Sequence, residues 1–301
     1  MPGVAPSVAP SPTAVDVQRP SVVVEPSVVI APALPTASAS PSSEAAVPVP
    51  VALEPAEHAV SASMVPDLQG AVANAYGVGA GQVSRLAIAV MDLRTGVVYG
   101  AGDIDAPYAS ASLVKAFIAV RLLVDGQADD PAVRDRMYRM ITVSDDDAGT
   151  SLYALAGSER LMPWIVERYG IAGLAPTPDP GYWGLTRITA QGMVAFYAAV
   201  AADPVVAPWL LDAMAHAQPY GSDGFYQHFG IPSAATSWRV KQGWMCCLDG
   251  LTRMHSTGYV GDDRYAVVLL TEGPRSFYGD SGARVLTEVA KALLADVGTA
   301  G

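Results

Sequence analysis

The stretch "YASASLVKAFIAV", residues 108–120, places Ser112 three residues before Lys115. The chain has 18 basic residues, and only Lys115, Lys241 and Lys291 are lysine; the rest are arginine. Arginine keeps its proton in a protein, whereas a buried lysine can be driven towards neutrality and act as a base. The run "LVKAFIAVRLLV", residues 113–124, is apolar nearly all round and predicts a buried helix starting at Ser112. On that helix Ser112 and Lys115 share one face, one turn apart. Ser112 then stands where free backbone N–H groups favour negative charge, beside an amine: the makings of a nucleophile and its base. The plainer reading makes Ser112 an N-cap and lets Lys115 snorkel to water. A charged, unpaired lysine in so apolar a helix is costly, so its pKa falls or a partner stands nearby.

Two further stretches answer to the first. In "ITVSDDDAGTSLY", residues 141–153, Ser144 precedes three aspartates. This reads as a helix start, with Ser144 as the cap and the carboxylates at the positive end; chemically, a serine there relays a proton and Asp146 reaches for substrate. In "VKQGWMCC", residues 240–247, Lys241 sits in a predicted strand two residues before Gly243, where the missing side chain lets a ligand approach. The ordinary alternative for Lys241 is an exposed strand lysine.

Outward from these stretches the elements alternate. A helix is predicted in "VPDLQGAVANAYGV" (residues 65–78), then antiparallel strands "SRLAIAVMDL" and "GVVYGAG" across the turn "RTG". After the Ser112 helix come three more, at 131–141, 145–157 and 158–170. Residues 171–187, "IAGLAPTPDPGYWGLTR", hold too many Pro and Gly for regular structure. Helices at 188–202 and 207–217 precede three strands at 237–247, 251–261 and 264–273 and a last amphipathic helix from 282. The order is helix, two strands, a helical block, three strands, helix. It predicts a mixed α/β domain over residues 64–301 with a five-stranded antiparallel sheet, terminal helices on one face and an all-helical block on the other. The expected ligand site is the cleft between sheet and block.

Composition narrows the partners. A net charge of −11 and a pI near 4.7 leave no clustered cations for nucleic acid. No stretch is a membrane span, and neither a signal peptide nor a lipoprotein cysteine is visible in the first residues. Residues 1–63 hold 12 of the 24 prolines among Ala, Val and Ser and predict a disordered tether. Cys246 and Cys247 are adjacent; their Cα atoms, about 3.8 Å apart, fall below the usual disulfide span, and alternation along a strand would point them to opposite faces. His58, His216, His228 and His255 show no ligand spacing, and no metal or cofactor is expected.

Ser-x-x-Lys, then Ser-Asp-x, then Lys-x-Gly, in that order, resembles the serine β-lactamase and penicillin-binding superfamily, most closely the class A β-lactamase-related serine hydrolases. The resemblance covers about residues 64–301 and implies that fold. It makes Ser112 the acylated nucleophile, Lys115 its activator, Ser144 a proton relay and Lys241 a carboxylate anchor. The backbone N–H groups of Ser112 and Trp244 would form the oxyanion hole. From its place on the second late strand, and apart from the resemblance, Arg253 could supplement Lys241 as a carboxylate anchor, the commoner reading being a surface arginine. It also implies a monomeric extracytoplasmic protein acting on a β-lactam or a peptidoglycan stem peptide. Three departures stand out. Asp146 replaces an asparagine that both donates and accepts, and would pair with Lys115 as a charged amine. Gln242 replaces a small hydroxyl residue and would narrow the cleft. The segment that carries the deacylating glutamate in class A enzymes holds only Asp179, which reads as a turn residue, so slow deacylation is expected. Asp146 and Gln242 also suit a non-catalytic relative that binds a wall peptide or a protein partner, whereas Lys115 and Lys241 speak for catalysis.

Overall fold

Strands from the two ends of the domain come together in one sheet. A computed structural model describes residues 67–247, 249–295 and 297; the tether expected over residues 1–63 lies outside the described residues. The five-stranded sheet has the order β2-β1-β8-β7-β6, antiparallel throughout: β1 (Arg85–Asp92), β2 (Val97–Gly102), β6 (Trp238–Cys246), β7 (Thr252–Val260) and β8 (Tyr265–Gly273).

Alternation along the strands makes two cores. Leu86, Ile88 and Val90 of β1, with Val267 and Leu269 of β8, meet the terminal helices α1 (Leu68–Gly79) and α8 (Asp280–Leu294). Ala87, Ala89, Val268 and Leu270 face the helical block. That block is α2 (Val114–Val124), α3 (Pro131–Thr142), α4 (Asp146–Leu155), α5 (Leu161–Tyr169), α6 (Ala190–Ala202) and α7 (Ala207–Ala215). Every residue of β7 and β8 is buried, as central strands covered on both faces require.

Three local readings change. Ser112 does not open the α-helix; it lies in a 3-10 turn, Ala111–Leu113, and α2 begins at Val114. Ser144 does not cap α4: the Asp145 carboxylate accepts from Ala148 N at 2.9 Å, while Ser144 adopts a left-handed φ of 53°. The Pro- and Gly-rich segment is irregular apart from a 3-10 turn and short pairings. There β4 (Leu174–Ala175) and β5 (Arg187–Ile188) join β3 (Tyr108–Ala109) in a small second sheet, order β3-β5-β4. This small sheet fastens the segment to the chain immediately before Ser112.

Candidate active site

Four elements meet at one cluster of polar atoms. The 3-10 turn brings Ser112, the first turn of α2 brings Lys115, the approach to α4 brings Ser144 and Asp146, and β6 brings Lys241. Lys115 Nζ lies 3.0 Å from Ser112 Oγ, 3.1 Å from Ser144 Oγ, 2.7 Å from the Ser144 carbonyl oxygen and 2.5 Å from Asp146 Oδ1. Lys241 Nζ donates to Ser144 Oγ and to the Gln242 carbonyl oxygen, each at 2.9 Å. Two buried amines therefore share one hydroxyl, that of Ser144.

The side chain of Lys115 is 0 % exposed, and Lys241 and Ser144 are buried with it. Burial pushes the Lys115 amine below its ordinary pKa; Asp146, then Asp145 and Asp223, act in the opposite sense. Lys241 is held well below its ordinary value by burial and by the neighbouring Lys115. Lys115 Nζ faces four oxygen acceptors, Ser112 Oγ among them, with at most three N–H groups to give, and once the amine loses a proton its lone pair can take that of Ser112.

The backbone is shaped for this meeting. Ala111, next to Ser112, has φ 47° and Ser144 has φ 53°, left-handed values unusual for residues with a Cβ and typical of functional sites. Gly243 lets β6 reach the Ser112 turn: a Cβ there would stand 3.1 Å from the Ser110 carbonyl oxygen. Gly149, on α4, gives room to the lysine, since a Cβ would stand 2.9 Å from Lys115 Cε. β6 is an edge strand packed against the Ser112 turn, so alternate N–H groups have no partner strand.

Beside the cluster opens a cleft of about 260 Å³. Ser112 and Asp146 line it with polar atoms, and Tyr182, Trp183, Leu185, Trp244 and Met245 with aromatic and aliphatic surface. The Trp183 ring lies 5.0 Å from Lys115 Nζ and its Nε1 donates to Thr150 Oγ1 at 3.2 Å. Trp244 stacks on Phe225 at 5.1 Å and donates from Nε1 to Asp223 Oδ2 at 2.8 Å.

Ser112, Lys115, Ser144, Asp146, Lys241, Gly243 and Trp244 are thus brought together. Arg253 is not. It is buried, but its guanidinium is bound to Glu272 at 3.1 Å and bidentately to Asp249, where it balances two carboxylates instead of awaiting a third. Nor does Gln242 narrow the cleft. Its Nε2 donates to the carbonyl oxygens of Gln227 and Phe229 at 3.1 and 2.6 Å, on the strand face opposite Lys241, and its Oε1 has no partner. Asp179 is exposed in a turn closed by Thr177 and Tyr182. Cys246 and Cys247, expected on opposite faces of the strand, are joined in a vicinal disulfide; Cys247 has left the strand with φ 72°, which brings the two sulfurs to one side.

Sequence spacing gave no hint of two residues that hold the site. His255, buried on β7 opposite Gly243, bonds through Nε2 to the Ala109 carbonyl oxygen at 2.9 Å. Its Nδ1 accepts from Thr271 N at 3.2 Å, so the neutral ring with a proton on Nε2 fits both partners. Ser110 is tied to the neighbouring loop, its N donating to the Thr186 carbonyl oxygen at 2.8 Å and its Oγ approaching the Gly184 carbonyl oxygen at 3.4 Å. The only signal for either residue was that Ala109 and Ser110 lie three and two residues before Ser112.

No family model matches the chain. A Mycobacterium tuberculosis protein named "Putative lipoprotein LppW" is 32% identical over 199 residues, and the match spans 62% of this chain and 62% of that protein. Among solved structures, a class A β-lactamase from Bacteroides cellulosilyticus superposes with a TM-score of 0.62 at 10% identity, over 77% of this chain and 99% of that one. The class A β-lactamase from Mycobacterium abscessus gives 0.59 at 15% identity, over 75% and 98%. At such identities the likeness is one of architecture, and the architecture of this chain is the β-lactamase fold.

Proposed function

We propose that the chain is a serine hydrolase or acyl-transferase of the cell envelope, working through an acyl-enzyme on Ser112. The observation that carries this reading is the buried Lys115 amine 3.0 Å from Ser112 Oγ. Lys115 takes the hydroxyl proton as Oγ bonds to an amide or ester carbonyl carbon. The oxyanion rests on the backbone N–H groups of Ser112 and Trp244. When the bond to the leaving group breaks, Ser144 passes it a proton, replaced from Lys115, while the Lys241 N–H bond to Ser144 Oγ holds that hydroxyl in place. β-Lactams and D-alanyl peptides present the amide bond this chemistry cleaves; the charge they carry beside it is for the cleft walls to accept or refuse. Water then completes hydrolysis slowly, because among the described residues Asp146 is the one carboxylate lining the cleft, and it is bound to Lys115. The envelope location is supported by the name of the mycobacterial relative.

Intact-protein mass spectrometry tests the reading, with a fluorophosphonate and a penicillin as probes and Ser112→Ala as control. A covalent adduct absent from the control is expected; no adduct from any activated acyl or phosphonyl donor overturns the proposal. Turnover of a chromogenic cephalosporin above about 1 s⁻¹ would overturn slow deacylation. One observation favours a second reading, a non-catalytic cleft that binds a wall peptide or partner. Asp146 at 2.5 Å favours the charged form of Lys115, which is no base.

A further inference from the structure

The exposed charges beside the cleft have one sign. Asp146 lines it with a side chain 71 % exposed. Asp223, also exposed, grips the indole of the wall residue Trp244. The cations that a substrate carboxylate would need are turned elsewhere. Lys115 and Lys241 are buried and hold Ser144, and Arg253 is closed upon Glu272 and Asp249. The strand position after Lys241 carries Gln242, whose amide binds backbone on the far face. The remaining walls are aromatic and aliphatic, with Tyr182 standing 52% exposed.

We infer that this cleft takes acyl substrates without a carboxylate, neutral or cationic esters or amides with an aromatic or aliphatic body, and discriminates against carboxylate-bearing analogues. An anion placed here meets two like charges and, among the described residues that line the cleft, no counter-charge, and like-charge juxtaposition is strongly disfavoured at close quarters. An apolar body removes the Tyr182, Trp183 and Trp244 surfaces from water, and a cation gains both the carboxylates and the indole faces. The inference rests on the acyl-transfer reading for its chemistry, though not for the order of binding.

The experiment has two arms on the full chain. In the first, three aryl esters of one shape, bearing a trimethylammonium, no charge or a carboxylate, acylate Ser112 at low salt, with adducts counted by intact mass. The cationic and neutral esters should react at least about tenfold faster than the anionic one, and about 0.5 M salt should bring the ratio towards one. In the second, calorimetry on Ser112→Ala measures the corresponding unreactive amides, and the same charge order is expected. A carboxylate ester that reacts as fast as the neutral one, or a carboxylate amide that binds as tightly, overturns the inference and leaves acyl transfer intact. If none of the esters acylates Ser112, acyl transfer falls, and the calorimetric order alone decides: cation and neutral above anion upholds the charge preference, while the reverse, or no binding, overturns it.

Discussion

Lys115 and Asp146 form an ion pair across a steep gradient of exposure: the amine is 0 % exposed, the carboxylate 71 %, and they stand 2.5 Å apart. Burial lowers the lysine pKa and Asp146 opposes that effect. Replacing Asp146 by Asn removes a group that raises the pKa, so the amine loses its proton at lower pH than before. Asp146→Asn should therefore move the rising limb of the acylation profile to lower pH and speed Ser112 acylation at neutral pH several-fold. A pH series of fluorophosphonate labelling reads this, and an unmoved limb would show that Lys115 is not the base.

Gly149→Ala separates function from folding. The new Cβ would meet Lys115 Cε at 2.9 Å, and a flexible lysine end can swing away cheaply. In helix α4 alanine is itself favoured over glycine by roughly 0.5–1 kcal/mol. Thermal stability should hold within about that margin. Ser112 acylation should fall roughly 10- to 100-fold, the scale of a displacement near 1 Å at a reacting group.

His255 ties stability to pH. Burial lowers its pKa from 6.5 to about 4. As pH falls through 6.5 the unfolded imidazole takes up a proton that the folded one refuses until about 4. The unfolded state therefore binds more protons in that window, and stability is lost as pH falls through it, by about 3 kcal/mol in all. A proton on Nδ1 would also face the Thr271 N–H. Denaturant titrations between these pH values should show the loss, and His255→Asn should flatten it. Because His255 holds the Ala109 carbonyl oxygen, the same substitution should slow acylation.

Arg253→Ala should behave as a structural lesion. It leaves the buried Glu272 with Arg85 alone, 2.6 Å away, and removal of one partner from a buried pair typically costs about 3 kcal/mol. That corresponds to a melting temperature roughly 6–12 °C lower for a domain of this size. The rate ratio between neutral and carboxylate-bearing esters should stay as it was. A changed ratio would show that Arg253 does reach substrate.

The architecture was written in the period of the strands and the apolar helices. β1, β2, β6, β7 and β8 all stand where alternating or continuous apolar runs put them, because burial selects those patterns directly. The two-residue strands β3, β4 and β5 escaped, since a pairing that short has no period. Ser144 was misread as a cap because Ser and Asp both suit that position and only the backbone decides between them. Arg253 was misread because its partner Glu272 is 19 residues distant and invisible to local spacing. Gln242 was legible after all: adjacent strand residues face opposite sides, so if Lys241 meets Ser144 its neighbour cannot.

The order of strands also sets an order of events. β8, the last strand in the chain, lies at the centre of the sheet between β1 and β7. Until the ribosome has released it, β1 has a bare edge, and β7 with β6 has nowhere to seat. The Ser112 turn, which packs on β6, cannot take shape earlier. Such long-range pairing makes assembly slow and a post-synthetic event. The site is therefore completed only when the C-terminal strands arrive, and a truncation before Tyr265 should remove the strand that joins β1 to β7 and with it the seat of β6 beside Ser112.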